Sequence, residues 1–224
     1  MHGESKSSQE RRAERRRRAV AGIGRLYNPW AHLGCSLALT GGACAVALAS
    51  VRTVRPLEWC CVPAVFLVAN AIEWVLHCQF MHQLRWLGGT TYRRHALHHV
   101  LFVADEMAIG CARELRFVLI HPADLATLAA IMASISGGLG LLLSRNCGWL
   151  ALLTFAVYVG FYEVSHLLCH FPAESTLGRL AQVRRLRQFH ARHHRPENMG
   201  RFNFNVTLPV FDWAFRTLPR RSAP

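Results

Sequence analysis

Negative charge is scarce in this chain: 13 Asp and Glu stand against 26 Lys and Arg in 224 residues, giving a formal net charge of +13. Paired cysteine motifs are missing as well. The eight cysteines fall singly or as the adjacent Cys60 and Cys61, mostly within apolar runs and never as Cys-x-x-Cys. That excludes a thiolate zinc site or redox dithiol, and the thiols read as small apolar packing residues. No Cys-x-x-Cys-His and no Gly-x-Gly-x-x-Gly occurs, so the chain carries neither a haem-attachment motif nor a dinucleotide fingerprint. Nucleic acid is not an expected partner, because no zinc finger, helix-turn-helix or aromatic RNA-binding motif accompanies the basic charge.

What the chain does have is apolar length. Hydrophobic residues make up 52% of it, so the charge must be segregated, and it is: Lys6, Arg11, Arg12, Arg15, Arg16, Arg17 and Arg18 crowd the start, before long apolar runs. Four stretches, about 31–51, 56–77, 122–143 and 148–170, reach the roughly twenty apolar residues that a membrane-crossing helix needs. Ala47-Leu48-Ala49 has the form of a signal-cleavage site, but the long segment before its apolar run favours a retained helix. Arg52-Thr53-Val54-Arg55 before Pro56, and Ser144-Arg145-Asn146-Cys147, join the stretches into two hairpins. Only Arg52, Arg55 and Arg145 fall in those turns. The positive-inside rule then places both termini, the 78–121 loop and the 171–224 tail in the cytoplasm. Gly137, Gly138 and Gly140 within the third stretch suit close helix packing.

The expected architecture is all-α: an integral membrane protein of four transmembrane helices in two hairpins, with a cytoplasmic helical cap. Residues 1–30 form a basic cytoplasmic tail, 31–218 the membrane domain and 219–224 a C-terminal tail. The small size favours a bacterial inner membrane over the endoplasmic reticulum.

Ten of the thirteen histidines fall into four clusters: His77 and His82; His95, His98 and His99; His166 and His170; His190, His193 and His194. Residues three and four apart share a helix face, so His166 with His170, and each H-x2-HH trio, can aim imidazoles at one point. His77 and His82 are five apart and need a helix end or bend to do the same. Neutral imidazole is the commonest metal ligand, and ten exceed what one ion accepts, which points to two metals. Each half of the chain, with its hairpin, glutamate, histidine pair and trio, would supply five ligands. Glu73 and Glu163 lie on the helix faces of these histidines, and with Asp105 and Glu106 they are candidates to orient the rings. His121, followed by Pro122 and Asp124, reads as a structural helix start, so His121→Ala is expected to be nearly silent.

These clusters, in this order beside paired membrane helices, resemble the membrane-bound fatty acid hydroxylase and sterol desaturase superfamily. Tyr162-Glu163-Val164-Ser165-His166 and the run Asn203 to Phe215 are similar to that family's motifs, and the resemblance spans about residues 30–218. Asn205 and Arg216 depart from it, standing where glycine is common. The resemblance implies two iron ions, with zinc able to occupy purified protein, held by the ten histidines. It implies dioxygen as co-substrate and hydroxylation or desaturation of an unactivated C–H bond of a lipid, chemistry that needs a redox metal. Electrons would come from a cytochrome b5-like protein, a ferredoxin or a reductase, docking where Arg179, Arg184, Arg185, Arg187 and Arg192 cluster; anionic headgroups are the alternative contact. The N-terminal arginines are read as headgroup contacts that set topology. A carotenoid hydroxylase-like enzyme is the neighbouring reading, set back by the H-x3-H spacing of His166 and His170. A histidine-rich membrane metal transporter is the reading from another class, disfavoured because the histidines gather at one level instead of along a path.

Overall fold

A computed structural model describes residues 6–85 and 88–219; residues 1–5 of the expected basic tail and 220–224 of the expected C-terminal tail lie outside the described residues. The described residues are helical without strands. Helix α1 (Lys6–Ala21) precedes the first long apolar helix, α2 (Pro29–Ser50). Asn28 caps α2, its Oδ1 accepting from Trp30 N at 2.9 Å and Ala31 N at 3.0 Å, and Pro29 fits the first turn because that turn has no use for its missing N–H. A 3-10 turn, Pro56–Cys60, leads into α3 (Cys61–Val75), which continues as a π-helical segment, Leu76–Met81. Helix α4 (Gly89–Leu101), short α5 (Leu115–Val118), α6 (Pro122–Leu142), α7 (Arg145–Cys169), α8 (Ala181–His193) and α9 (Val210–Ala214) follow.

Four helical stretches are long and apolar enough to cross a membrane: Pro29–Ser50, Pro56–Met81, Pro122–Leu142 and Arg145–Cys169. They coincide with the four stretches expected from hydropathy to within a few residues. Large apolar side chains on their outer faces, such as Leu39, Leu48, Leu67 and Val157, remain exposed, as lipid-facing residues would.

Helix α7 is the central post. It packs against α2, α3, α6 and, at its far end, α8, and Val65, Ala69, Met132, Ala151, Phe155 and Tyr158 form the core around it. α6 and α7 make a closely packed hairpin, whereas α2 and α3, though consecutive, each pack chiefly on α7. The turns at the end remote from the histidines are stitched together: Asn146 Nδ2 donates to Thr53 O (3.0 Å) and to Glu58 (3.0 Å), and Ser144 Oγ donates to Glu58 (2.6 Å). Of the three glycines expected to permit close packing, only Gly140 does so, because a Cβ on Gly148 would stand 2.8 Å from its Cα; Gly137 and Gly138 face open space.

Candidate metal centre

All ten clustered histidines converge at one end of the bundle, in two adjoining groups. The potential ligand atoms of His77, His82, His95, His99 and His193 lie within 4.8 Å of one another, and so do those of His98, His166, His170 and His190. His194 completes the second group, its Nε2 lying 3.0 Å from that of His190 and 3.2 Å from that of His98. In the first group, Nε2 atoms approach at 3.0 Å for His77 with His95, His82 with His193 and His95 with His99.

Local geometry explains the membership. The five-residue spacing of His77 and His82 is reconciled by the π-helical segment, whose i→i+5 bond, His82 N to His77 O at 3.2 Å, brings the two rings into a stack with centroids 5.1 Å apart. π-turns of this kind are rare and concentrate at functional sites. The H-x2-HH trios behave differently from expectation, since neither aims at a single point. His95 and His99, four apart on α4, enter the first group while His98 turns to the second; His190 and His194 enter the second while His193 turns to the first. A residue next to an i, i+4 pair lies well round the helix from it, so an adjacent histidine must serve a neighbouring site. Each group thus takes four histidines from one half of the chain and one from the other. His99 and His194 stack between the groups, with centroids 4.2 Å apart.

Ring hydrogen bonds decide which nitrogens are left free. Nδ1 of His98, His170, His193 and His194 donates to the carbonyls of Phe117 (2.8 Å), Met107 (2.7 Å), Phe202 (2.8 Å) and Phe102 (2.7 Å), and Nδ1 of His77 to that of Phe204. A carbonyl can only accept, so in a neutral ring Nε2 is left as an unprotonated lone pair. Several such lone pairs then face one another, and Nε2 of His170 is buried with no hydrogen-bond partner among the described residues. Burial holds the rings neutral: His98 is pushed down to about 4 and His82 to about 2, while His95, His99, His170, His190, His193 and His194 lie well below the usual imidazole value. Converging neutral nitrogen lone pairs in a buried site fit divalent cations, and the residues present suit the metals implied by the sequence.

The carboxylates act one step further back than expected. None of Glu73, Glu163, Asp105 and Glu106 hydrogen-bonds a clustered histidine among the described residues. Glu73 instead accepts from Val206 N (2.5 Å), Thr207 N (3.2 Å), Thr207 Oγ1 (2.6 Å) and Tyr158, and Glu163 accepts from Ile120 N at 3.1 Å. These glutamates hold the segments whose carbonyls orient the rings, because a buried carboxylate beside a loop is satisfied by its N–H groups. Asp105 is exposed, and Glu106 bonds through its own backbone N–H to Val103 O. Asp212, which the sequence marks only as part of the run Asn203 to Phe215 and not as a site residue, does equivalent work, accepting from Phe204 N at 2.9 Å and Asn205 N at 2.8 Å; burial pushes its carboxyl up. Arg16 was grouped with the headgroup-facing arginines but bonds inward, to Glu114 and to Ala108 O at 2.6 Å. His32 stands apart from the cluster, bonded to Ile120 O (2.9 Å) and Tyr27 (3.0 Å).

Both groups open onto one cavity of about 690 Å³, which is touched by His77, His95, His98 and His166 and walled by apolar residues of α3, α6 and α7. On α8, Arg184, Arg185 and Arg192 are exposed on the side away from His190 and His193; Arg179 is exposed just before it, and Arg187 turns inward to Phe171 O at 2.6 Å.

The sequence model of the fatty acid hydroxylase family matches residues 62–217, a segment that contains all ten clustered histidines. A solved structure described as full-length scs7p, with only its hydroxylase domain visible, is similar in fold, with a TM-score of 0.56 at 20% identity over 88% of this chain and 68% of that one. No curated protein matches the chain.

Proposed function

The chain belongs to the fatty acid hydroxylase family, and from that premise we propose that it is a membrane-bound, dimetal iron oxygenase that hydroxylates, or desaturates, an unactivated C–H position of a lipid, with dioxygen as co-substrate. The observation that carries this reading is the pair of histidine groups meeting at one apolar cavity. His77, His82, His95, His99 and His193 would hold one ion and His98, His166, His170, His190 and His194 the other. Bound iron would supply the dioxygen and one-electron chemistry that ordinary side chains lack.

The chain's own residues do the rest. The carbonyls of residues 102, 107, 117, 202 and 204 keep protons on Nδ1 and leave Nε2 free to ligate. Ala69, Ile72, Met132 and Phe155 line a cavity that accepts an alkyl chain and excludes water from the reacting carbon. Electrons come from an external donor, a cytochrome b5-like protein, ferredoxin or reductase, whose acidic surface meets the exposed arginines of α8, directly outside His190 and His193. The excess of Lys and Arg at the histidine end puts the site and both termini in the cytoplasm, with a bacterial inner membrane favoured. The catalytic membrane domain is residues 31–218.

Reconstitution with ferrous iron and a reductant under ¹⁸O-labelled dioxygen, followed by mass spectrometry of membrane lipids, tests this. Labelled hydroxyl, or a new double bond, should appear with the wild type and be lost in His166→Ala. Metal-loaded protein that leaves every lipid unchanged, or an active His166→Ala, would overturn the reading.

A further inference from the structure

The cavity has a polar rim that C–H oxidation does not itself call for. Arg94 on α4, Arg116 on α5 and His121 at the start of α6 all line it, with Thr91 beside them. Asp124, the carboxylate at this rim, is already engaged, accepting from Thr91 Oγ1 at 2.9 Å and from Arg94 Nη1 at 2.8 Å. That contact fixes the Arg94 guanidinium while leaving its Nε and Nη2 hydrogens without a partner among the described residues. Arg116 has no carboxylate within ion-pair distance among the described residues; its guanidinium lies over the Tyr27 ring, 5.6 Å from the centroid. The third group is His121, whose Nδ1 accepts from Ala123 N at 3.2 Å, so a neutral ring carries its proton on Nε2 as a donor. After burial, the largest causes that hold His121 below the ordinary imidazole value are Arg94 and Arg116, with His32 adding less and Asp124 opposing them, so both cations bear on one place.

Half-buried cations lining a cavity at the membrane boundary stand there at a cost that a ligand of opposite charge removes. Guanidinium forks suit the paired oxygens of a carboxylate or phosphate. We propose that this rim, built by Arg94, Arg116 and the Nε2–H of His121, binds the anionic head of the lipid substrate, a carboxylate or phosphate group, while its acyl chain fills the apolar cavity. The proposal rests on reading that cavity as the substrate site. His121 therefore has a ligand-facing role besides capping α6, and its replacement is not silent.

The test is binding. Palmitate, dipalmitoyl phosphatidate and the uncharged hexadecanol are each titrated, at a pH where the acids are ionised, into wild type and Arg116→Gln in neutral detergent, with metal content measured on the same samples. Wild type should prefer an anionic lipid to hexadecanol by about tenfold or more, the scale of a charge-assisted hydrogen bond. Arg116→Gln should lose that preference while still binding hexadecanol, which also reports that its cavity has folded. Preference for palmitate identifies a carboxylate head, and preference for phosphatidate a phosphate head. Equal binding of acid and alcohol by the wild type, no binding of any of them, or a preference that survives in Arg116→Gln would overturn the proposal. Absence of metal from the wild type would instead strike the oxygenase reading and leave this comparison standing.

Discussion

The two histidine groups share one plan, four imidazoles from one half of the chain and one from the other, yet they lean on different supports. For the first, the orienting carbonyls of Phe202 and Phe204 lie close together in one loop, which is clamped by two buried carboxylates, Glu73 from α3 and Asp212 from α9. For the second, the carbonyls of Phe102, Met107 and Phe117 are spread along a longer segment. That segment is held by Glu163, and by Glu114, which accepts from Gly110 N at 2.6 Å and is itself bound by Arg16 of α1. Arg16 also sits 4.8 Å from the centroid of the Phe102 ring. Helix α1 lies outside the segment that the family model matches, so the second group is steadied in part from beyond that segment.

The largest effects should come from the two histidines that cross between halves. His193→Ala should empty chiefly the first group and His98→Ala the second, each variant retaining about one metal and losing activity by orders of magnitude, read by element analysis and turnover. Loss of both metals from either variant would mean that the groups act as one. Next are the supports. Glu73→Ala should weaken metal binding at the first group by about 10–100-fold, and Arg16→Ala should do so at the second to a smaller degree, because the Arg16 side chain is 19% exposed. Metal-competition titrations distinguish the two. Arg16→Lys should restore little, since an ammonium cannot reproduce the paired bonds to Glu114.

Acid should act on both groups alike. The folded pKa of His98 is lowered, so below the ordinary value near 6.5 the unfolded chain takes up a proton that the folded chain refuses until about pH 4. Metal-free protein should therefore hold its thermal stability above about pH 6.5 and lose it progressively down to about pH 4, followed by melting scans across that window. The smallest effect concerns the clamp of the first group. Arg216 has φ +57, a left-handed backbone that favours glycine; Arg216→Gly should stabilise the protein by about 0.5–1 kcal/mol in thermal unfolding.

Much of this was legible in the sequence, for identifiable reasons. Spans follow from hydropathy, because crossing hydrocarbon needs a fixed apolar length, and the ten histidines declare themselves by spacing. The departure at Asn205 proves compensated: the residue is buried, donates to Asn70 O at 3.0 Å and accepts from Asp212 N at 3.2 Å. What stayed hidden depends on tertiary placement. The π-turn that stacks His77 on His82 has no residue signature, although their awkward spacing was the signal for some distortion. The splitting of the trios follows from the helical rotation between adjacent histidines, which, with two metals expected, already spoke against each trio aiming at one point. Carbonyls as orienting partners leave no mark on sequence, since every residue carries one, and Arg16 is indistinguishable by composition from the arginines around it.

The central claim is that the two groups are two metal sites, and metal per chain measures it most directly. Protein purified in detergent, loaded with ferrous iron without oxygen and freed of excess metal should hold about two ions per chain by inductively coupled plasma mass spectrometry, and His193→Ala about one. Well-folded wild type that retains no metal, or His193→Ala that retains as much as the wild type, would contradict the account.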